Sequence, residues 1–191
     1  MARLILTPEH QIQRLNSILN KVAPLQQRSA ESLTTAPPKS WNVLEVLAHL
    51  SIALKTYDAK IEKALDEVKD ATTGSWSFKA RVWPRFVIEG QRPKDKKRPF
   101  KIKTLKRFEP ILPSEDFSKA TVDLVFKEFL TSYGNLKSVI TESRTKQMRH
   151  PTFSSAIGPI VKFYLPEAFE FLICHAERHM LQIDEILASQ D

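Results

Sequence analysis

The chain has 191 residues, 42% of them hydrophobic and 27% charged, with a formal net charge of +7. This is an ordinary globular composition for one domain, residues 1–191, with room for a sizeable core. A single cysteine, Cys174, excludes an internal disulfide and points to a reducing, cytoplasmic setting, and no stretch approaches the roughly 20 apolar residues of a membrane span. The positive charge is local: Arg92 to Arg107 holds nine Lys or Arg against one Asp, a net of +8, which leaves −1 for everything else. Basicity is therefore a property of one segment and disfavours nucleic-acid binding by the domain as a whole.

In chain order, Leu4-Ile5-Leu6 is too short for a secretory signal. Thr7, Pro8 and Glu9 then read as an N-cap, a first-turn proline and an acid favoured by the helix dipole. Ile12, Leu15, Ile18, Leu19 and Val22 keep helical spacing as far as Pro24, with His10 on the polar side. After Pro37-Pro38, Asn42 and Glu45 form a capping-box pattern at the start of a second helix that runs to about Val68. Its seam is Leu47, Leu50, Leu54, Tyr57, Ile61, Leu65 and Val68, with His49 at the margin. Ser75 to Glu89, rich in Trp76, Phe78, Trp83 and Phe86 and interrupted by Pro84, reads as a short helix or an irregular lid. Gly90 to Pro110 reads as an exposed basic loop.

Ser114, Glu115 and Asp116 are expected to open a third long helix reaching about Ile140. Phe117, Leu124, Phe126, Phe129, Leu130, Tyr133, Leu136 and Ile140 form its apolar side. Thr141 to Leu165, with His150-Pro151 and Gly158-Pro159, reads as loop. Pro166 in a first turn starts the last helix, which extends to about Leu187. The expectation is an all-α protein of four long helices, with a long insertion between the second and third. Such seams are best buried in a bundle.

The last helix carries the chemistry. His175 and His179 are four residues apart and share one helical face, beside Leu172, Met180, Ile183 and Leu187. Two neutral imidazoles at this spacing can chelate a transition metal if a third ligand arrives from elsewhere, and His49 is the candidate. Helix geometry permits that meeting without forcing it, and a histidine pair of this kind can also be an ordinary hydrogen-bonded core pair. Imidazole suits Zn, Ni, Fe and Cu alike. Ala176 stands where a zinc protease of the His-Glu-x-x-His type places its glutamate, which argues against that route to peptide hydrolysis. Cys174 reads as a buried apolar thiol, since adjacent helical residues point about 100° apart.

These motifs carry a resemblance. Trp41-Asn42-Val43-Leu44-Glu45-Val46-Leu47-Ala48-His49-Leu50 resembles the Trp-Ser-x-x-Glu-x-Leu-x-His-Leu signature of the DinB-like (damage-inducible) superfamily. His150-Pro151 with Gly158 is similar to that family's loop before its last helix, and His175 to Ile183 to its closing His-x-x-x-His-x-x-Gln-Ile motif. The order and spacing agree from about Leu15 to Leu187. The resemblance implies an up-down-down-up four-helix bundle holding a divalent metal through His49, His175 and His179. It further implies a hydrolase or a transferase using a low-molecular-weight thiol. Asn42 replaces the usual Ser or Thr, and the segment from 75 to 110 is longer and more basic than the pattern.

His150 is a candidate fourth ligand, proton carrier or outer partner of the site, set against a plain turn residue before proline. Glu45 is a candidate contact for metal-bound water, set against its capping role. The expected cofactor is Zn, Ni or Fe, with a small-molecule substrate drawn in by Arg81, Arg85 or the basic loop. The alternative is a non-enzymatic protein whose segment 92–107, with Phe100 and Phe108, follows a phosphate backbone. Trp76, Trp83 and Phe86 are expected either to form an apolar homodimer patch or to cap the pocket.

Overall fold

The computed structural model describes residues 3–71, 74–95, 97–98, 104–110, 112 and 117–190. It is mostly helical, with six α-helices and two small antiparallel sheets among the described residues. The first helix, α1 (Pro8–Val22), starts as expected, with the Thr7 hydroxyl accepting from the backbone of His10 and Pro8 in the first turn. Its buried stripe is Pro8, Gln11, Leu15, Ile18 and Val22, so a glutamine occupies a core position that apolar periodicity alone does not reveal. Ile12 and Leu19 are partly buried and pack against the margin of the core. His10 is exposed.

A short α2 (Ala30–Thr34) precedes α3 (Val43–Asp66), which begins with the capping box that Asn42 and Glu45 encode, both bonds being 2.8 Å. The whole expected seam from Leu47 to Val68 is buried, and Val43, Leu44, Val46, His49 and Ala53 bury a second strip of the same helix. A helix covered on two sides must lie between neighbours, and α3 packs against α5 and α6.

The aromatic segment is helical only in its second half, α4 (Val82–Gln91), which packs on α6; Trp76 and Phe78 lie before that helix. Pro84 falls in its first turn, where a missing N–H removes no intrahelical bond. Ser114, Glu115 and Asp116, the expected start of the third long helix, lie outside the described residues. That helix, α5, spans Lys119–Glu142 with Ser118 as its cap, so the start lies further along the chain than expected. Leu124, counted on the buried side, is 55% exposed, and Val122 and Val125 are buried in its place. The last helix, α6 (Leu165–Ala188), begins one residue before Pro166.

The strands are additions to the all-α expectation. β1 (Ile5–Leu6) pairs with β2 (Phe78–Lys79), tying the N-terminal run to the chain before α4. β3 (Phe153–Ser155) and β4 (Gly158–Phe163) form a hairpin where a loop was expected. Tyr57 of α3 holds that hairpin, its hydroxyl lying 2.5 Å from Ser155 Oγ and accepting from Ala156 N at 3.2 Å. No helix among the described residues is long and apolar enough to cross a membrane.

Candidate metal centre

Each candidate ligand owes its position to its helix. His49 sits two turns into α3 on the second buried strip, and is 4% exposed. His175 and His179 stand one turn apart near the middle of α6 and are half-buried. The contacts Tyr57–Phe171, His49–His175 and Trp41–His179 step in opposite chain directions along the two helices. That crossing brings His49 opposite the pair. His175 Nε2 lies 3.3 Å from His49 Nε2 and 3.1 Å from His179 Nε2. One ligand atom from each of the three histidines lies within 4.8 Å of the others.

The outer ring nitrogens explain why the inner ones converge. His49 Nδ1 donates to the carbonyl of Phe108 at 2.6 Å, and His179 Nδ1 donates to Gln182 Oε1 at 2.9 Å. A neutral imidazole that donates from Nδ1 presents a bare lone pair at Nε2. Burial, the largest influence, pushes all three imidazoles down, His175 to about 3, and their mutual repulsion adds to this for His175 and His179. The centre is therefore neutral at pH 7. At most one proton, on His175 Nε2, then serves three inward nitrogens. A divalent cation would satisfy all three lone pairs at once, so the donor set fits a metal bound by three imidazoles.

The cluster opens onto a cleft of about 890 Å³. Trp41 lies against the rings, 4.9 Å from His49 and nearly parallel to His179 at 6.5 Å. Trp83 and Phe86 of α4 stack on each other at 5.9 Å and line the cleft while remaining largely exposed. The cleft wall and the exposed aromatic patch are thus the same residues. Trp76 is not part of that patch: it is 9% exposed and its indole donates to Ser143 Oγ at 3.2 Å.

The end of the basic segment is folded onto the site rather than free. Phe108 closes a 3-10 turn (Lys106–Phe108), is 7% exposed, and its carbonyl holds His49. Arg92 reaches Glu170, Arg98 pairs with Glu185 and Arg107 donates to the Ala156 carbonyl. Phe100 and several of the lysines lie outside the described residues. Glu45 is engaged in its cap. His150 is exposed and meets the edge of Tyr164 at 6.0 Å, apart from the cleft lining. Arg81 is committed to Glu167, its Nη2 2.6 Å from the carboxylate, and neither it nor Arg85 lines the cleft.

Sequence reading passed over Trp41, Gln182 and the Phe108 carbonyl as parts of the centre. Gln182 carried a signal, being three residues after His179 on the same helical face. A backbone carbonyl from residue 108 has none. A second cluster was also missed: buried Glu170 takes Arg14 at 2.5 Å and Arg92 at 2.7 Å. Cys174 sits within it, receiving Arg14 Nη2 at 3.2 Å. Burial, with the Glu170 charge, pushes its thiol up to about 12.

No family model matches the chain, and neither does any curated protein or solved structure.

Proposed function

We propose that the chain is a DinB-like protein that holds a divalent metal through His49, His175 and His179. In this reading it acts on a small molecule in the adjoining cleft, as a hydrolase or a thiol-dependent transferase. The observation that carries the reading is the convergence of three Nε2 atoms from two helices, with two of the Nδ1 atoms tethered outward.

Helix order supports it. Along α1 and α6, contacts advance together, from Gln11–Glu170 to Lys21–Asp184. Contacts between the regions of α3 and α5 also advance together, from Lys55–Glu128 to Asp70–Lys146, whereas those between α3 and α6 run oppositely. We read this as an up-down-down-up bundle whose insertion between α3 and α5 supplies the cleft's outer wall.

Zn, Ni and Fe all suit the three imidazoles. A bound ion of this kind lowers the pKa of water or a thiol and polarises a substrate. The protein's own part is to keep the imidazoles neutral by burial, to fix His49 and His179 by their outer bonds, and to wall the site with Trp41. Cys174 is no nucleophile, because a thiol titrating near 12 carries almost no thiolate at neutral pH. A low-molecular-weight thiol, if used, enters through the cleft. The polyanion-binding alternative has less support, since Arg92, Arg98 and Arg107 bond within the protein. Homodimerisation through Trp83 and Phe86 would cover the cleft mouth, so sedimentation at graded concentration is expected to show a monomer.

Metal analysis of the purified protein tests the centre. One equivalent is expected in the wild type and near zero in a His49→Ala, His175→Ala double variant. Equal, near-zero metal in both overturns the reading.

A further inference from the structure

Arg178 lies on α6 between the two histidines of that helix and lines the cleft. It is 6% exposed, and its Nη1 has no hydrogen-bond partner among the described residues. Among the described residues it forms no ion pair. Every other strongly buried charge on α6 is matched: Glu167 by Arg81, Glu170 by Arg14 and Arg92. A guanidinium stays charged at any pH a protein survives, so leaving one buried and unmatched is costly and invites an anion. Arg98 adds a second positive charge to the same cleft, and Glu185, the acid it meets, is taken up by that pair. Trp83, Phe86, Val87 and Leu105 give the wall an apolar and aromatic stretch, beside polar Lys39, Ser40, Gln91 and Thr104.

We propose that Arg178 binds the acidic group of the cleft's small-molecule ligand, a carboxylate or a phosphate, and that the ligand's apolar body lies against Trp83 and Phe86. The planar fork of a guanidinium matches either oxyanion in two parallel hydrogen bonds. The ligand is then an organic acid whose other end reaches the three imidazoles. This assignment rests on the cleft beside the histidines being the substrate site, but it does not need the metal to be present.

Calorimetric titration with 4-phenylbutyrate, phenyl phosphate and the neutral 4-phenylbutanamide tests it, on zinc-loaded and on chelator-treated protein. At least one acid is expected to bind about 10–100-fold tighter than the amide, the scale of a hydrogen bond to a charged group. The tighter of the two acids identifies the oxyanion. Arg178→Met should abolish the preference while leaving zinc stoichiometry unchanged, and should raise Tm by about 3 °C because an unmatched buried charge is gone. Arg178→Gln, which keeps reach without charge, should lose the same preference and serves if the methionine variant does not fold. Equal binding of acids and amide by the wild type overturns the proposal, as does a preference that survives in either variant. A preference that disappears from the wild type when zinc is stripped assigns the anion to the metal and also overturns it. Wild-type protein that takes up no zinc yet keeps the Arg178-dependent preference removes the metal reading alone.

Discussion

Two sides of α6 handle buried polar groups in opposite ways. On the side facing α1 and α4, Glu170 is 1% exposed and sits between Arg14 and Arg92, and Arg14 also reaches Glu177 and Cys174. Burial by itself would raise the Glu170 carboxyl, but the two guanidinium groups outweigh it and hold the group below its usual range. On the side facing the cleft, three lone pairs point at one another and a buried guanidinium has an unpartnered nitrogen. Burial opposes charge on both sides; only on the first do the described residues supply the matching partners. Where a fold leaves polar groups converging and unmatched in a cleft, the missing partners are supplied by what binds there.

The sharpest way to test the contrast is to break the matched side. Glu170→Ala leaves Arg14 and Arg92 buried without their carboxylate and should cost about 3–5 kcal/mol in urea unfolding. A loss below about 1 kcal/mol would mean that the ion cluster is ornamental. On the unmatched side, His175→Ala should leave the chelator-treated protein nearly as stable as the wild type but remove its stabilisation by zinc. That stabilisation is about 2.7 kcal/mol when free metal is a hundredfold above Kd.

Acid should discriminate the two sides as well. The imidazole pKa values are lowered in the fold, His175 to about 3, while an unfolded histidine titrates near 6.5. The unfolded chain therefore binds more protons between those values. The contribution is complete above about pH 6.5 and drains as pH falls toward 3, with a slope approaching about 1.4 kcal/mol per pH unit for each imidazole. Urea midpoints of chelator-treated wild type and His175→Ala should separate as pH drops from 7 to 4, the wild type falling faster, and parallel curves would contradict the neutral cluster. Gln182→Leu, which removes the acceptor behind His179, should weaken zinc binding about 10–100-fold with little change in apo stability. The smallest effect belongs to Lys55→Ala, whose partner Glu128 is exposed; less than about 0.5 kcal/mol is expected at this solvated pair.

Much of this was legible along the chain because it depends on near neighbours. The Asn42–Glu45 box, the proline starts of α1 and α6 and the seam of α3 are local patterns, and each appears where spacing placed it. The boundary of α5 and the exposure of Leu124 were not legible, since a cap at 114 and one at 118 look alike to a window of sequence and a half-buried face depends on which neighbours arrive. The hairpin at 153–163 escaped for a similar reason: its strands are held by Tyr57, nearly a hundred residues away in the chain.

Sequence alone determined a mostly helical chain with two imidazoles one turn apart on its last helix, because helical periodicity is a property of successive residues. Only the tertiary structure decided that His49 meets them, that the Phe108 carbonyl and Gln182 turn two of the rings inward, and that Arg178 is buried facing the cleft with its Nη1 unpartnered among the described residues. Those relations join helices and turns far apart in the chain, and no spacing rule within one segment records which distant group will stand opposite.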